Sequence, residues 1–263
     1  ERLPFICELS RAYMGVDPVK EPIPVRPVVH YTMGGIETDG LGATRMPGLF
    51  AVGECASNGL HGANRLGSNS LCEIVVFGKV AGEQAALFAK QHSHIDSNIL
   101  YRQGLEVVAK SVSLMENGGT ENPADIRNEM GDAMESGVGI YRTAETMQNT
   151  IDKLKELKER YKRVRVADKS SVFNTDWLYT IELGFLLDVA ESVAHSAIQR
   201  KESRGSHQRI DGFEERDDVN YLKHSLAFRN ENGAPTIEYS DVKITKSQPA
   251  KRVYGSEAEK GAK

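Results

Sequence analysis

Polar residues suited to binding a charged ligand lie close together between residues 30 and 78. They are His30, Glu54, His61, Asn64, Arg65, Ser68, Asn69 and Ser70. Arginine fits such a site because its guanidinium group can pair a carboxylate through two parallel hydrogen bonds. Glycine weakens the interior of a helix or strand, so the many glycines in this stretch indicate turns. We expect a binding site here, although a glycine-rich surface loop beside a helix is the simpler alternative.

Local patterns predict the elements that would position these residues. Residues 49–52 are a short apolar run between glycines and predict a buried strand, with Glu54 just beyond its end, where open α/β sheets bind ligands. Residues 67–70 offer capping side chains for a helix predicted over residues 71–90. A helix N-terminus attracts anions, because its first N–H groups have no partner in the helix. Gly34 and Gly35 predict a turn that a ligand could approach closely.

The rest of the chain reads as mainly helical. A helix is predicted over residues 3–14 and ended by Gly15, and four prolines then predict an extended connection up to residue 30. Helices over residues 99–115 and 124–135, a helix capped by Thr143 and a helix capped by Asn174 or Thr175 predict an antiparallel bundle. The expected apolar side of the last helix comprises Leu178, Ile181, Leu186, Val189, Val193 and Ala197. Residues 221–244 alternate loosely, with strand-like pieces around residues 236–239, and residues 256–263 predict a frayed tail.

A second polar cluster, KESRGSH at residues 201–207, follows the last predicted helix. One interpretation is a helix C-terminus with favourable cations and a glycine cap. The other is a role beside the binding site.

Composition limits the class of protein. With 40% hydrophobic and 27% charged residues the chain is globular, and its net charge of -4 gives no electrostatic reason to expect nucleic acid or an anionic membrane as a partner. No apolar run approaches the roughly 20 residues that span a bilayer. Cys7, Cys55 and Cys72 form no CxxC pair, so we expect no disulfide framework and no metal site. The chain starts at Glu1 rather than Met, and we expect that it is truncated.

Four motifs carry a family resemblance: HYTMGG at residue 30, FAVGE at 50, HGANRLGSNSL at 61 and KESRGSHQR at 201. Together they resemble the succinate dehydrogenase and fumarate reductase flavoprotein family. Thr32 and Ser68 resemble the fumarate reductase forms, whereas Ser206 and Cys72 depart from the family pattern. The amino-terminal dinucleotide fingerprint, the histidine that carries covalent flavin and the arginine that donates the proton are expected upstream, so the chain resembles the C-terminal portion only.

The resemblance implies a fold and a division into domains. It implies an α/β fold, the C-terminal part of an FAD-binding Rossmann-like domain, followed by an α-helical bundle domain and a small mixed C-terminal extension. The implied boundaries are 1–28 for the end of the capping domain, 29–93 for the FAD-binding part, 94–205 for the bundle and 206–263 for the extension.

The resemblance also implies roles for individual residues. His30 and Arg65 match the substrate-binding histidine and arginine, and Glu54 matches the residue that contacts the sugar chain of FAD. The implied FAD-binding residues are His30, Tyr31, Glu54, Arg65, Leu66, Gly67, Ser68, Asn69, Ser70 and Leu71. The start of the helix near Ser70 would stabilise negative charge on the flavin ring. No catalytic residue is implied within this chain.

The implied activity is reduction of fumarate to succinate with FAD as cofactor in anaerobic respiration. Electrons would come from menaquinol through an iron–sulfur subunit and two membrane anchor subunits, at the cytoplasmic face of the bacterial inner membrane. The chain alone is expected to be inactive. Two alternatives stay open: a succinate dehydrogenase flavoprotein subunit, and a non-catalytic helical fragment that serves interaction.

Overall fold

The computed structural model describes residues 3–92, 96–231, 233–246 and 248–250. The chain divides into two units, Glu1–Thr32 and Met33–Lys263, each described here by itself. The predicted tail at residues 256–263 lies outside the described residues. Over the described residues, no helix combines the length and the apolar character needed to cross a membrane.

The first unit contains the predicted short helix. Helix α1 spans Pro4–Met14 and ends at Gly15, whose φ of 67° is left-handed. Gly15 suits this position because it has no Cβ to oppose that conformation, and its N–H satisfies a carbonyl of the last turn. The proline-rich segment that follows has no regular secondary structure between residues 21 and 32. Both features agree with the sequence-based expectation.

Residues 33–92 form a glycine-rich region with one long helix. Strand β1 (Ile36–Glu37) pairs in parallel with β2 (Ala56–Ser57), and helix α2 spans Asn69–Gln91. The helix packs closely on the preceding turns, since a Cβ on Gly42 would lie 2.6 Å from that of Ala81. The α/β expectation is met here only as mixed content, because the described part of the region holds no sheet larger than this pair.

The strand predicted over residues 49–52 is wrong as a regular element. Phe50 forms a single antiparallel bridge with Ala43, and Ala51 N donates to Gly42 O at 2.9 Å. Gly48 and Gly53 on either side have φ values of 85° and 81°, so the backbone turns at both ends. A strand needs a partner along its length, and within the described residues this run is bridged at one position.

The central part of the second unit is the predicted helical bundle. Helices α3, α4, α5 and α6 span Ser97–Glu116, Pro123–Val138, Ala144–Tyr161 and Thr175–Gln199. The start of α5 is fixed by a capping box in which the Thr143 side chain accepts from Thr146 N. At the start of α6, the side chain of Asn174 accepts from Trp177 N. These caps match the predictions, as does the break after α3 at Asn117.

The bundle core lies between α4, α5 and α6, but α6 contributes a different face from the predicted one. Leu183 and Leu187 are fully buried, while Leu178 and Val189 are 50% and 56% exposed. Of the predicted set, Ala197 is buried. The prediction failed because α6 carries apolar residues on both sides, so their spacing does not select one. The largest fully buried apolar residues of the described core are Ile126, Met147, Leu154, Leu157, Val164, Leu183 and Leu187.

Short strands complete the second unit. Strand β3 (Tyr141–Arg142), before α5, pairs in parallel with β4 (Gln208–Arg209), after α6. Strands β5 (Lys223–Phe228) and β6 (Thr236–Asp241) form an antiparallel hairpin in the stretch that was predicted to be strand-like. The Arg45 guanidinium lies 5.2 Å from the centre of the Phe228 ring, so this hairpin contacts the glycine-rich region.

Candidate functional site

Two of the predicted site residues, His30 and Tyr31, lie at the end of the first unit. They have no regular secondary structure and follow the proline-rich segment. His30 is exposed and Tyr31 is 8% exposed. The remaining predicted site residues, from Glu54 to Leu71, belong to the second unit.

Gly34 and Gly35 have different surroundings. Gly34 has a φ of 95° and nothing within 4 Å of where a Cβ would stand. A Cβ at Gly35 would lie 2.4 Å from Cys55 O, whose carbonyl accepts from Ile36 N at 2.8 Å. The expected close approach to the main chain therefore occurs at Gly35, but the approaching group is the chain itself. This contact sets β1 beside β2, next to Glu54.

Glu54 is exposed and lies within a tight turn, in which Ala56 N donates to Gly53 O at 2.9 Å. The turn depends on Gly53, whose φ is 81° and whose missing Cβ would lie 3.1 Å from the side chain of Ile74 on α2. The carboxylate is thus presented at the surface beside α2.

Arg65 is partly buried in the loop between β2 and α2, and its Nη1 donates to Leu66 O at 3.4 Å. The loop is anchored by His61, whose Nε2 lies 2.6 Å from Glu73 Oε2. Glu73 stands in the second turn of α2, and its side chain is 2% exposed. A buried carboxylate needs such a partner, because an uncompensated charge in the interior is costly. This contact ties the Arg65 loop to the helix.

The start of α2 differs from the predicted cap. The helix begins at Asn69, and Ser68 occupies the capping position with a left-handed φ of 66°. The Ser68 side chain makes no capping hydrogen bond there, because a capping serine normally has an extended backbone. The predicted start at residue 71 was therefore two residues late, and the hydroxyl does not cap. Ser68 is thus exposed beside the helix N-terminus.

A charged cluster follows α6, and we name it the 200–211 cluster. Glu202 is fully buried and binds Arg200 and Arg204, each at 2.9 Å. Burial raises its pKa, but hydrogen bonds from Arg204, the Asp217 backbone and Arg200 outweigh that effect, and the net pKa is lowered. Glu202 therefore stays charged between two guanidinium groups.

His207 and Arg209 complete the 200–211 cluster. His207 Nδ1 lies 3.0 Å from Arg142 Nη1, and its Nε2 lies 3.1 Å from Arg200 O. Burial lowers the pKa of His207 to about 4, with a further contribution from the nearby arginines. The neutral ring can thus accept from Arg142 and donate to the carbonyl. Arg209 pairs with Asp211 at 2.6 Å. The interpretation as a simple helix cap is incomplete, because the cluster also contacts the Arg65 loop through Ser206, which donates to Ala63 O.

Sequence reasoning missed the pairing partners in this site. The contact between His61 and Glu73 and the contact between Ser206 and Ala63 join residues that no spacing rule connects. A glutamate among the apolar residues of the predicted helix, twelve residues after a histidine, was a signal for the first of them.

The residues present fit an FAD molecule in the chemistry they offer. Gly62 and Gly67 have no atom within 4 Å of an added Cβ, so the backbone around Arg65 can be approached closely. The first turn of α2 adds N–H groups that suit an anion. No group of three or more His, Cys, Asp or Glu side chains in the described residues could hold a metal ion.

Comparisons with known proteins identify the family. The profile of the "FAD binding domain" family matches residues 1–71, and that of "Fumarate reductase flavoprotein C-term" matches residues 127–254. The fumarate reductase flavoprotein subunit of Haemophilus influenzae is 68% identical over 98% of this chain, which spans 43% of that relative.

One solved structure and a more distant relative extend the comparison. A solved structure of quinol-fumarate reductase with menaquinol molecules is similar to this chain, with a TM-score of 0.90 and 65% identity. The match covers 95% of this chain and 43% of the chain in that structure. The succinate dehydrogenase flavoprotein subunit of Rickettsia bellii is 37% identical over 96% of this chain and 45% of its own length. The chain therefore belongs to the fumarate reductase and succinate dehydrogenase flavoprotein family and spans less than half the length of these relatives.

Proposed function

We propose that the longer protein containing this chain is a fumarate reductase flavoprotein subunit, which reduces fumarate to succinate. The observation that carries this proposal is the identity of 68% to a fumarate reductase flavoprotein subunit over nearly the whole chain. Identity to the succinate dehydrogenase subunit is 37%, which favours the fumarate reductase assignment. The FAD-binding profile over residues 1–71 supports FAD as the cofactor.

In this proposal FAD is held by His30, Tyr31, Glu54 and the segment from Arg65 to Leu71, comprising Leu66, Gly67, Ser68, Asn69 and Ser70 as well. When bound, FAD supplies the hydride for the reduction. The start of α2 favours negative charge beside it, because the helix dipole is positive at its N-terminus. The glycines around Arg65 allow the ligand to approach the main chain.

Arg65 and His30 bind the substrate in this proposal. The Arg65 guanidinium group binds one carboxylate of fumarate through two hydrogen bonds, which fixes the orientation of the carbon chain. His30 donates a further hydrogen bond to a carboxylate. Both residues thus position the substrate and stabilise charge that develops on it, while the proton donor lies outside this chain.

The domain assignment is also part of the proposal. Residues 1–28 are the end of a capping domain, 29–93 the C-terminal part of the Rossmann-like FAD-binding domain, 94–205 the helical bundle and 206–263 the C-terminal extension. The bundle assignment is supported by α3 to α6, which lie between residues 97 and 199. The β5–β6 hairpin supports a separate extension.

The proposed partners follow from the family. An iron–sulfur subunit delivers electrons from menaquinol, and two anchor subunits hold the complex at the cytoplasmic face of the bacterial inner membrane. The similar structure of a quinol-fumarate reductase with menaquinol supports the electron donor.

The test is Arg65→Lys in the full-length protein. Lysine keeps the charge but loses the fork, and breaking a buried charge pair costs roughly 2–5 kcal/mol. We expect that FAD content is retained and that most fumarate turnover is lost, measured by oxidation of reduced benzyl viologen. Arg127→Lys, at an exposed position on α4, is the matched control and should match the parent. Turnover of Arg65→Lys within a few-fold of the parent would remove Arg65 from the substrate site.

A further inference from the structure

The turn at residues 204–207 meets the Arg65 loop at one carbonyl group. Ser206 donates to Ala63 O twice, from its backbone N and from its Oγ, each at 3.1 Å. A carbonyl oxygen has two lone pairs and can accept both bonds. Ala63 lies two residues before Arg65, so these bonds fix the backbone from which the Arg65 side chain starts.

Gly205 allows this close approach. A Cβ at Gly205 would lie 2.4 Å from Ala63 O and 2.5 Å from Ala63 C, a distance that real Cβ atoms do not reach. Its φ of 59° also lies in the left-handed region. Glycine is therefore required at this position for two separate reasons, one of which concerns the Arg65 loop directly.

The turn that carries Gly205 and Ser206 is itself held firmly. Arg204 and His207 exchange two backbone hydrogen bonds, at 2.8 and 3.0 Å, which close the turn. The Arg204 side chain binds the buried Glu202 through Nε and Nη2, both at 2.9 Å. The His207 ring is fixed between Arg142 and Arg200 O. The turn is thus held by hydrogen bonds to buried groups, which leave it little freedom to shift.

The Arg65 loop is fixed from its other side by the pair of His61 and Glu73, at 2.6 Å. Between residues 61 and 65 the chain is therefore attached to α2 at one point and to the 204–207 turn at another. A guanidinium group that binds a carboxylate with two bonds must be placed to within about 0.5 Å to be effective. A loop fixed at two points provides that precision.

We propose that Gly205 and Ser206 are positioning residues for Arg65. They act through Ala63, and they hold the loop so that the Arg65 side chain is directed at a substrate carboxylate. The inference rests on the proposed function, since it takes Arg65 as a substrate-binding residue. It assigns the 200–211 cluster, which belongs to a different part of the sequence, to the support of the binding site.

The first test replaces the hydroxyl group. In the full-length protein, Ser206→Ala removes the Oγ bond and keeps the backbone bond, so the KM for fumarate should rise roughly three- to tenfold, as expected for one hydrogen bond. The kcat should fall by up to a similar factor, because Arg65 also stabilises charge that develops on the substrate in the transition state. Ser206→Thr retains the hydroxyl and should restore the parent KM. A lower melting temperature with an unchanged KM would overturn the proposal in favour of a purely structural contact.

The second test uses a matched pair of glycines. Gly205→Ala introduces both the clash and the backbone strain, whereas Gly212→Ala, at a φ of 91° with nothing within 4 Å, introduces strain alone. We expect kcat/KM for fumarate to fall at least roughly a hundredfold in Gly205→Ala, because misplacement by about 1 Å has that effect, and to stay near the parent value in Gly212→Ala. Equal losses in both variants would overturn the proposal, since strain alone would then account for them.

Hydrogen exchange separates this inference from the proposed function. Amide exchange of residues 61–67, measured without substrate, should be faster in Gly205→Ala than in Gly212→Ala, because the loop loses one attachment. Faster exchange with unchanged fumarate kinetics would overturn the positioning role and leave the proposed function standing. Near-parent turnover of Arg65→Lys would instead remove Arg65 from the substrate site and overturn the inference alone. Absence of fumarate turnover in the full-length parent would overturn the proposed function.

Discussion

The helical bundle and the glycine-rich region at residues 33–92 are stabilised in different ways. The bundle buries large side chains completely, among them Met147, Leu154 and Leu183. In the described part of residues 33–92 the buried hydrophobic residues are alanines, Ala51, Ala56 and Ala81. Large apolar residues at the start of α2 are instead 43–70% exposed: Leu71, Ile74, Val75 and Val76. The bundle is thus defined by side-chain packing and the binding region by backbone contacts.

The two regions therefore differ in which substitutions they tolerate. In the bundle, the volume of a side chain decides, because a packed interior relaxes little around a cavity. In the glycine-rich region, the presence of any Cβ decides, as at Gly35 and Gly42, where the nearest atoms are 2.4 and 2.6 Å away. A substitution in the bundle core is therefore disruptive when it changes the volume of a buried side chain. At Gly35 and Gly42 even alanine, the smallest change, is disruptive.

The largest expected effect tests the bundle side of this comparison. Leu183→Ala should lower the free energy of unfolding by about 2–5 kcal/mol, because it opens a cavity at a position that is 1% exposed. Leu178→Ala, on the same helix at a position that is 50% exposed, should change it by about 0.5 kcal/mol or less. Urea unfolding followed by helical circular dichroism measures both. Similar losses in the two variants would contradict the assigned face of α6.

The next effect concerns the 200–211 cluster, where packing and polar contacts meet. The pKa of His207 falls from 6.5 to about 4 on folding, so the ring is neutral in the folded state and the unfolded chain binds more protons. The contribution of the neutral His207 ring to the free energy of unfolding is therefore complete above about pH 6.5 and is lost as the pH falls through about 4. Full protonation would cost up to about 3 kcal/mol. The groups facing the ring are the guanidinium groups of Arg142, Arg200 and Arg209.

Urea midpoints at pH 7 and pH 5 measure this dependence. His207→Gln should reduce the loss of stability between the two values, since the amide does not titrate. His195→Gln is a useful comparison, because burial also lowers the pKa of His195, on α6. An unchanged pH dependence in His207→Gln would show that the ring does not couple stability to pH.

The smallest expected effect uses two glycines of one bundle helix. A Cβ at Gly137 would lie 1.9 Å from Thr150 Oγ1, whereas one at Gly131 meets nothing within 4 Å. Gly137→Ala should destabilise the chain by about 1–3 kcal/mol through overpacking. Gly131→Ala should stabilise it by about 0.4–1 kcal/mol, because alanine favours the helix. Thermal unfolding of the two variants gives the sign. A stabilised Gly137→Ala variant would mean that α4 and α5 are not in close contact there.

The sequence predicted those features that depend on neighbouring residues. The caps at Thr143 and Asn174 and the stop at Gly15 follow from hydrogen bonds and φ angles within a few residues. In α5 the apolar residues recur at steps of three and four, and Met147, Ile151 and Leu154 among them are buried. Such features can be predicted because the physics that decides them is local.

Features that depend on distant contacts were not predictable in the same way. The run at residues 49–52 has the composition of a strand, but a strand exists only where another segment pairs with it. The buried face of α6 was decided by α4 and α5, because α6 itself is apolar on both sides. In the site, residue types were identified by sequence motifs, but the contact of Ala63 with Ser206 depends on the tertiary fold alone.

That contact has a consequence for the order of folding. Ser206 and Ala63 are 143 residues apart, so closing the intervening chain costs more entropy than forming any turn or helix within it. Local contacts form quickly and long-range ones slowly, so the helices should be in place before the Arg65 loop acquires its final shape. The ability to bind a ligand should then be among the last properties that the chain acquires. A chain that binds its ligand would therefore already have a folded bundle.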